Sequence, residues 1–231
     1  MITVVVPAHN EEALLGRCLR SLLVAAQHPG LLGEPVHILV VLDACTDQSQ
    51  QIAHSLGVAT LSIEVRNVGF ARRLGAAEAI ALGARWLACT DADSYVAPDW
   101  LFQQLGHGAE VVCGTVEIQD WEDYDQAVQS AYLQHYCNAD GHRHIHGANL
   151  GICVAAYQRS GGFSPVSVHE DVRLIEALER IGASIVWTGQ NRVVTSARSK
   201  PRAHAGFGDY LSKLAATLSL DGNRSGLGEE G

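Results

Sequence analysis

Ala-Arg-Trp-Leu-Ala-Cys-Thr-Asp-Ala-Asp-Ser-Tyr-Val-Ala-Pro-Asp, residues 84–99, is a short apolar run that ends in two carboxylates. Trp86, Leu87, Ala88 and Cys89 read as a buried strand, and Asp91 and Asp93 follow at its carboxyl end with one small residue between them. In an extended segment residues two apart face one side, so both carboxylates can point at one object. Two close anions repel unless a positive charge lies between them, and a hard divalent cation taking oxygen ligands answers that need. Taken alone, Asp-Ala-Asp is better explained as a polar turn ahead of a helix starting near Pro98. The stretches on either side change that weighting.

Upstream, three more apolar strands are expected, each running into a polar turn. Ile2 to Val6 ends at Pro7-Ala8-His9-Asn10-Glu11-Glu12, and a helix with Leu14, Leu15, Leu19, Leu22 and Leu23 follows. Asn10 is the expected N-cap of that helix, with the two glutamates in its first turn. Val36 to Leu42 ends in Asp43-Ala44-Cys45-Thr46-Asp47 before a helix reaching about Leu56, and Val58 to Val65 leads into Asn67-Val68-Gly69-Phe70-Ala71-Arg72-Arg73-Leu74-Gly75 and an Ala-rich helix to about Gly83. Strand and helix alternating at these intervals predict an α/β fold whose mostly parallel sheet is covered on both faces. Ligands of such sheets bind outside the carboxyl ends of the strands, so Pro7 to Glu11, Asp43, Asp91 and Asp93 should line one crevice, bordered by Asn67 to Gly75.

Composition narrows the class. A chain of 231 residues, 47% apolar and 18% charged, can bury one large core, and a formal charge of -9 argues against a nucleic-acid backbone or an anionic membrane as the main partner. Cysteines 18, 45, 89, 113, 137 and 153 are widely spaced with no Cys-x-x-Cys, which fits reduced thiols in a cytoplasmic protein. No run of about 18 apolar residues marks a transmembrane segment, and no cleavable leader is expected. The turn after the first strand has neither a dinucleotide glycine fingerprint nor a P-loop, and Val96 stands where an EF-hand needs glycine.

These residues resemble the family 2 glycosyltransferases of the GT-A fold. Val-Pro-Ala-His-Asn-Glu-Glu at 6–12 is similar to that family's opening motif, Leu-Asp-Ala-Cys-Thr-Asp at 42–47 to its base-binding turn, Asn67 to Gly75 to its Asn-x-Gly…Arg segment, and Asp91-Ala-Asp93 to its Asp-x-Asp. Gly147-Ala148-Asn149-Leu150, Gly161-Gly162-Phe163 and His169-Glu170-Asp171 follow in the family's order. Leu42 replaces a frequent acidic residue, and Arg73 stands where asparagine is usual. The resemblance covers roughly residues 2–200 and implies a Rossmann-like, mostly parallel central sheet in a single domain. A nucleotide-sugar half is expected over about 1–100 and an acceptor half over about 101–220, and the Gly-rich composition of 221–231 predicts a disordered tail.

What the resemblance implies for the site is specific. Pro7, Ala8, Asn10 or Glu11, Asp43 and Arg72 would surround the base and ribose of a nucleotide-sugar donor, a UDP- or GDP-sugar. Asp91 would contact the ribose or the metal, and Asp93 would bind Mn²⁺ or Mg²⁺, which stabilises the diphosphate leaving group. Asp171 would act as general base toward an unknown acceptor in an inverting transfer, with Glu170 orienting the acceptor or sharing that work. His204 is a candidate third metal ligand, and Arg198 or Arg202 a candidate phosphate contact.

Other expectations concern the second half. Val111 to Ile118 reads as a strand and Trp121 to Cys137 as a helix. His142, His144 and His146 alternate as a zinc-binding strand would require, but a polar acceptor loop leading into the sugar- or acceptor-facing Gly147 to Leu150 is the preferred reading. Glu170 and Asp171 open an amphipathic helix with Val172, Ile175, Leu178 and Ile181 on its apolar side. Ser184 to Trp187 and Arg192 to Thr195 read as closing strands. Phe207 to Leu220 reads as a helix that covers the core or pairs with a second copy in a homodimer. Two rival functions are a nucleotidyltransferase, which normally opens on a glycine-rich loop, and an idle sugar-nucleotide-binding protein, in which Asp171→Asn would change nothing.

Overall fold

The computed structural model describes residues 1–121, 123–198 and 211–217. His204 and Arg202, the tail from 221, and parts of the helix expected over 207–220 lie outside the described residues; 211–217 are helical. Two compact units form, one from Met1–Glu117 with Asn138–Thr195 and a smaller one from Ile118–Cys137 with Ser196–Gly231.

The larger unit opens with β1 (Ile2–Ala8), α1 (Leu15–Ala25), β2 (Val36–Asp43), α2 (Ser49–Ser55), β3 (Ala59–Ile63), α3 (Val68–Ala81) and β4 (Trp86–Cys89). Its remaining elements are β5 (Tyr95–Val96), α4 (Trp100–Gly106), β6 (Val111–Ile118), β7 (Leu150–Cys153), α6 (Val154–Ser160), α7 (Glu170–Arg180) and β8 (Ile185–Thr195); α5 (Gln126–His135) belongs to the smaller unit. The sheet order is β3-β2-β1-β4-β7-β6-β8-β5. Three pairings, β3/β2, β2/β1 and β1/β4, are parallel, as the strand and helix alternation requires, whereas β4/β7, β7/β6 and β5/β8 are antiparallel.

Both faces are covered. Val4 and Val6 pack with Leu15, Leu19 and Leu22 of α1 on one face, and Val5 packs with Val41 and Ala71 of α3 on the other. An added Cβ on Gly75 would sit 2.5 Å from Val5, so glycine there lets α3 lie against the sheet. Leu87, Leu150 and Ile152 continue that second face under Leu174, Ile175 and Leu178 of α7.

Several local expectations change. Leu14, not Asn10, is the N-cap residue of α1, and its apolar side chain caps nothing; the Asn10 side chain is bonded to Thr46 N of a neighbouring loop instead. The two expected closing strands are one continuous strand, β8. The buried face of α7 is Leu174, Ile175 and Leu178, and Ile181 is exposed. In the smaller unit α5 begins only at Gln126, where the Asp125 side chain accepts from Val128 N, and Tyr132 stacks on Tyr136 in a core with Ile118, Ala197 and Leu211. Among the described residues no helix is long and apolar enough to cross a membrane.

Candidate active site

The carboxyl ends of β1 and β2 lie side by side, since Ala8 is in register with Leu42. The turns that leave them are joined by crossed hydrogen bonds. Asn10 Oδ1 accepts from Thr46 N at 2.7 Å, Asp47 Oδ2 from Glu12 N at 2.8 Å, and Glu12 Oε2 from Gln48 N at 3.0 Å. Glu11 N donates to Ser49 Oγ, and the Glu11 side chain is buried. Asn10 holds φ at +53°, a conformation asparagine tolerates better than most residues. Pro7, Ala8, Asn10 and Glu11 are thus brought together with the β2 turn at the carboxyl ends of the strands.

Asp43, the last residue of β2, ties in the next turn. Its Oδ1 accepts from Val65 N and Arg66 N at 2.8 and 2.7 Å and its Oδ2 from Asn67 N at 2.7 Å, so one buried carboxylate fixes the turn between β3 and α3. His9 Nδ1 lies 2.6 Å from the Asp43 carbonyl oxygen and donates to it. Asn67 caps α3, its Oδ1 accepting from Phe70 N.

Asp91 and Asp93 lie in a turn beyond β4, closed by Ser94 N donating to the Asp91 carbonyl, so they do not share a strand face as the sequence pattern suggested. Asp91 Oδ1 accepts from Arg72 Nη2 at 2.5 Å. The Arg72 side chain is only 2% exposed. Its Nε donates to Glu170 Oε1 at 3.0 Å and its Nη1 to the Gly147 carbonyl at 2.9 Å. Gly147 N donates in turn to Asp171 Oδ2 at 2.8 Å, and Val172 N to Asp171 Oδ1. Glu170, buried and paired with Arg72, faces inward, while Asp171 is half-buried beside it.

Charge follows from this packing. Burial opposes the Arg72 charge, but the carboxylates of Asp91 and Glu170 overcome it and hold the guanidinium more firmly protonated than usual. The Asp91 carboxyl is pushed up to about 6, first because protein replaces much of its water, then because Asp93, Glu170 and Asp171 add like charge; Arg72 pulls the other way. The Asp91 side chain still meets solvent over 38% of its surface. Burial likewise raises Glu170, against the pull of Arg72.

The donor set fits a hard cation. Asp91 Oδ2 has no hydrogen-bond partner among the described residues, and Asp93 is two residues away in the same turn. No three His, Cys, Asp or Glu side chains among the described residues come together as a metal cage. Mg²⁺ and Mn²⁺ sites beside phosphates commonly use one or two carboxylates, with substrate oxygens and water completing the shell.

The histidines do not form a strand. Residues 142–146 are irregular, with His144 N donating to His142 Nδ1 and the three rings stacked at centroid spacings of 5.5 and 5.9 Å. Asn149 does not face a sugar: it is 1% exposed, accepts from Trp100 Nε1, and donates to the carbonyls of Thr115 and Asn191. Arg198 belongs to the smaller unit. Sequence reasoning missed the links from Arg72 to Gly147 and Glu170, which span 75 and 98 residues and leave no periodic signal. A glycine at 147 is the one trace, since a Cβ there would meet Arg72 Nη2 at 2.6 Å.

Comparison with solved structures agrees with this architecture. S. aureus TarS 1–349 in complex with UDP-GlcNAc is similar at a TM-score of 0.64 and 17% identity, over 94% of this chain and 65% of that one. A mannosyltransferase from Pyrobaculum calidifontis in complex with GDP-Man and Mn²⁺ is similar at 0.63 and 18%, over 90% and 59%. Glucosyl-3-phosphoglycerate synthase from Mycobacterium tuberculosis, in complex with Mn²⁺, UDP and phosphoglyceric acid, is similar at 0.58 and 18%, over 94% and 75%. The chain spans less than two thirds of the length of the TarS 1–349 chains. At these identities the likeness establishes the fold, and the expected GT-A architecture is borne out. Among curated proteins none matches. The model of glycosyl transferase family 2 matches residues 3–158, well over half of the sequence, and the chain belongs to that family.

Proposed function

We propose that this chain transfers a sugar from a nucleotide-sugar donor, a UDP- or GDP-sugar, to an acceptor hydroxyl with inversion at the anomeric carbon. The observation that carries the reading is the meeting of Asp91, Glu170 and Asp171 around Arg72 beside the joined β1 and β2 turns. Asp93, Glu170 and Asp171 add like charge around the Asp91 carboxyl, a setting that supports a divalent cation there. Solved relatives in the same fold hold UDP-GlcNAc, or GDP-Man or UDP with Mn²⁺, which supports the donor class and the metal.

In this reading Pro7, Ala8, Asn10 and Glu11 form the wall against base and ribose, and Asp43 keeps that wall in place. Asp91 and Asp93 would hold Mn²⁺ or Mg²⁺, which when bound neutralises charge on the departing diphosphate. Asp171 takes the proton of the acceptor hydroxyl as its oxygen attacks; the N–H groups of Gly147 and Val172 fix the orientation of the carboxylate. Glu170 serves as the buried partner of Arg72 rather than as an acceptor contact. The wide-spaced cysteines favour a reducing, cytoplasmic setting.

The test is thermal melting against UDP-, GDP-, dTDP- and CDP-sugars, each with and without Mn²⁺ or Mg²⁺, on the wild type and on Asp93→Ala. A donor at roughly 100 times its Kd stabilises by about 2.7 kcal/mol, a readable shift. A metal-dependent shift with one donor class, lost in Asp93→Ala, is the expected result. No shift with any donor would remove the donor site.

A further inference from the structure

The family resemblance places Arg72 against the nucleotide, and the geometry gives it a different task. Its guanidinium is closed off from solvent and serves three acceptors from two loops and the start of α7: the Asp91 carboxylate, the Gly147 carbonyl and the Glu170 carboxylate. Gly147 passes the constraint on, because its own N–H holds Asp171 Oδ2. A bonded path therefore runs from the donor-side carboxylate Asp91 through Arg72 and Gly147 to the carboxylate read as the base.

The same helix brings the far end of the path into place. Asn67 Nδ2 donates to the Pro165 carbonyl and Gly69 N to the Val166 carbonyl, so the segment leading to His169-Glu170-Asp171 is docked on the first turn of α3, one turn before Arg72. The Phe163 ring lies 6.0 Å from the guanidinium carbon and covers one side of it. A planar fork with donors in three directions suits this position, and a lysine ammonium, with one centre and a flexible stem, cannot reach all three acceptors.

We propose that Arg72 is a positioning residue for the transfer, fixing Asp91 relative to Asp171, and that it makes no contact with the donor. The inference rests on the function proposed above. Its test uses the donor that the melting panel selects, with water as acceptor. The bond from the anomeric carbon to the diphosphate oxygen breaks with its electron pair leaving on the diphosphate. A water oxygen forms the new bond to that carbon, and the water proton passes to Asp171.

For Arg72→Lys, kcat for nucleoside diphosphate release should fall about 100-fold while the donor KM stays within about threefold, the pattern of displaced rather than missing contacts. Gly147→Ala, which leaves the guanidinium intact but crowds it, should reproduce that split, and the double variant should lose little more than the worse single one. A rise in KM with kcat retained would make Arg72 a donor contact and overturn the proposal. So would unchanged kinetics with only a lower Tm, or failure of both variants to fold, either of which leaves a purely structural clamp. A wild type that releases no nucleoside diphosphate from any donor sinks the transfer reading and this inference with it, whereas an active wild type with an indifferent Arg72→Lys sinks the inference alone.

Discussion

Asp43 Oδ1 accepts the backbone N–H of Arg66 at 2.7 Å while Arg66 holds φ at +55°, a left-handed turn that its side chain does not favour. The carboxylate takes three N–H groups in all and holds the strained turn closed. Asp43→Ala leaves those donors inside the protein without a partner, and should cost about 2–4 kcal/mol in urea unfolding. Asp43→Asn, which keeps the shape but accepts through one oxygen only, should fall between Asp43→Ala and the wild type.

Gly69 is the tightest approach of α3 to the chain it docks. A Cβ there would overlap the carbonyl oxygens of Ser164 and Val166 and lie 2.9 Å from Val166 N, all backbone atoms with little freedom to yield. Gly69→Ala should destabilise by about 1–3 kcal/mol and loosen the Asp171 segment, which hydrogen exchange at residues 163–172 would register. Gly106→Ala, where nothing lies within 4 Å, is the matched control and should be neutral or stabilising.

Asn149 is a polar keystone of the buried sheet. Its side chain answers Trp100 Nε1, the Thr115 carbonyl and the Asn191 carbonyl at 2.9, 2.8 and 2.8 Å. Asn149→Leu would strand all three groups and should cost about 3–5 kcal/mol, measured by chemical denaturation. A loss of activity without loss of stability would instead place Asn149 in substrate contact.

His146 is neutral in the folded chain. Burial, with His144 and His142 adding to it, pushes its pKa from the usual 6.5 down to about 3. An unfolded histidine takes up a proton below about 6.5 and the folded one does not until about 3, so stability is complete above 6.5 and lost as pH falls through that window. The slope should reach up to about 1.4 kcal/mol per pH unit, and His146→Gln should flatten it when unfolding free energy is compared at pH 7.5 and 5. Equal pH dependence in both proteins would show that another group carries the effect.

What the sequence discloses depends on how locally each feature is determined. The strands β1, β2 and β4 are continuous apolar runs ending at Pro7, Asp43 and Asp91, and two-faced burial makes them legible without any partner in view. Asn10 misleads because a capping oxygen and a loop-bonding oxygen have the same chemistry, and only the presence of Thr46 N decides between them. The alternating histidines fit a strand by period alone, but the preferred loop reading matches the irregular path of 142–146, where His144 N donates to His142 Nδ1. Arg72 stands out in the sequence through the family's Asn-x-Gly…Arg segment, which says nothing of its burial. Its burial arises from acceptors that fold in from 75 and 98 positions downstream.

The antiparallel seam between β4 and β7 bears on how such a protein can change. Trp86 to Cys89 pair with Cys153 to Leu150, so the parallel sheet of the first hundred residues is completed by a strand from the second half. Grafting a foreign second half would have to supply a strand of matching register and fresh acceptors for Arg72, or leave a bare sheet edge and an orphaned buried cation. Under the proposed function, a new donor or acceptor preference has to preserve this seam, so gradual substitution around it is the open route rather than exchange of halves.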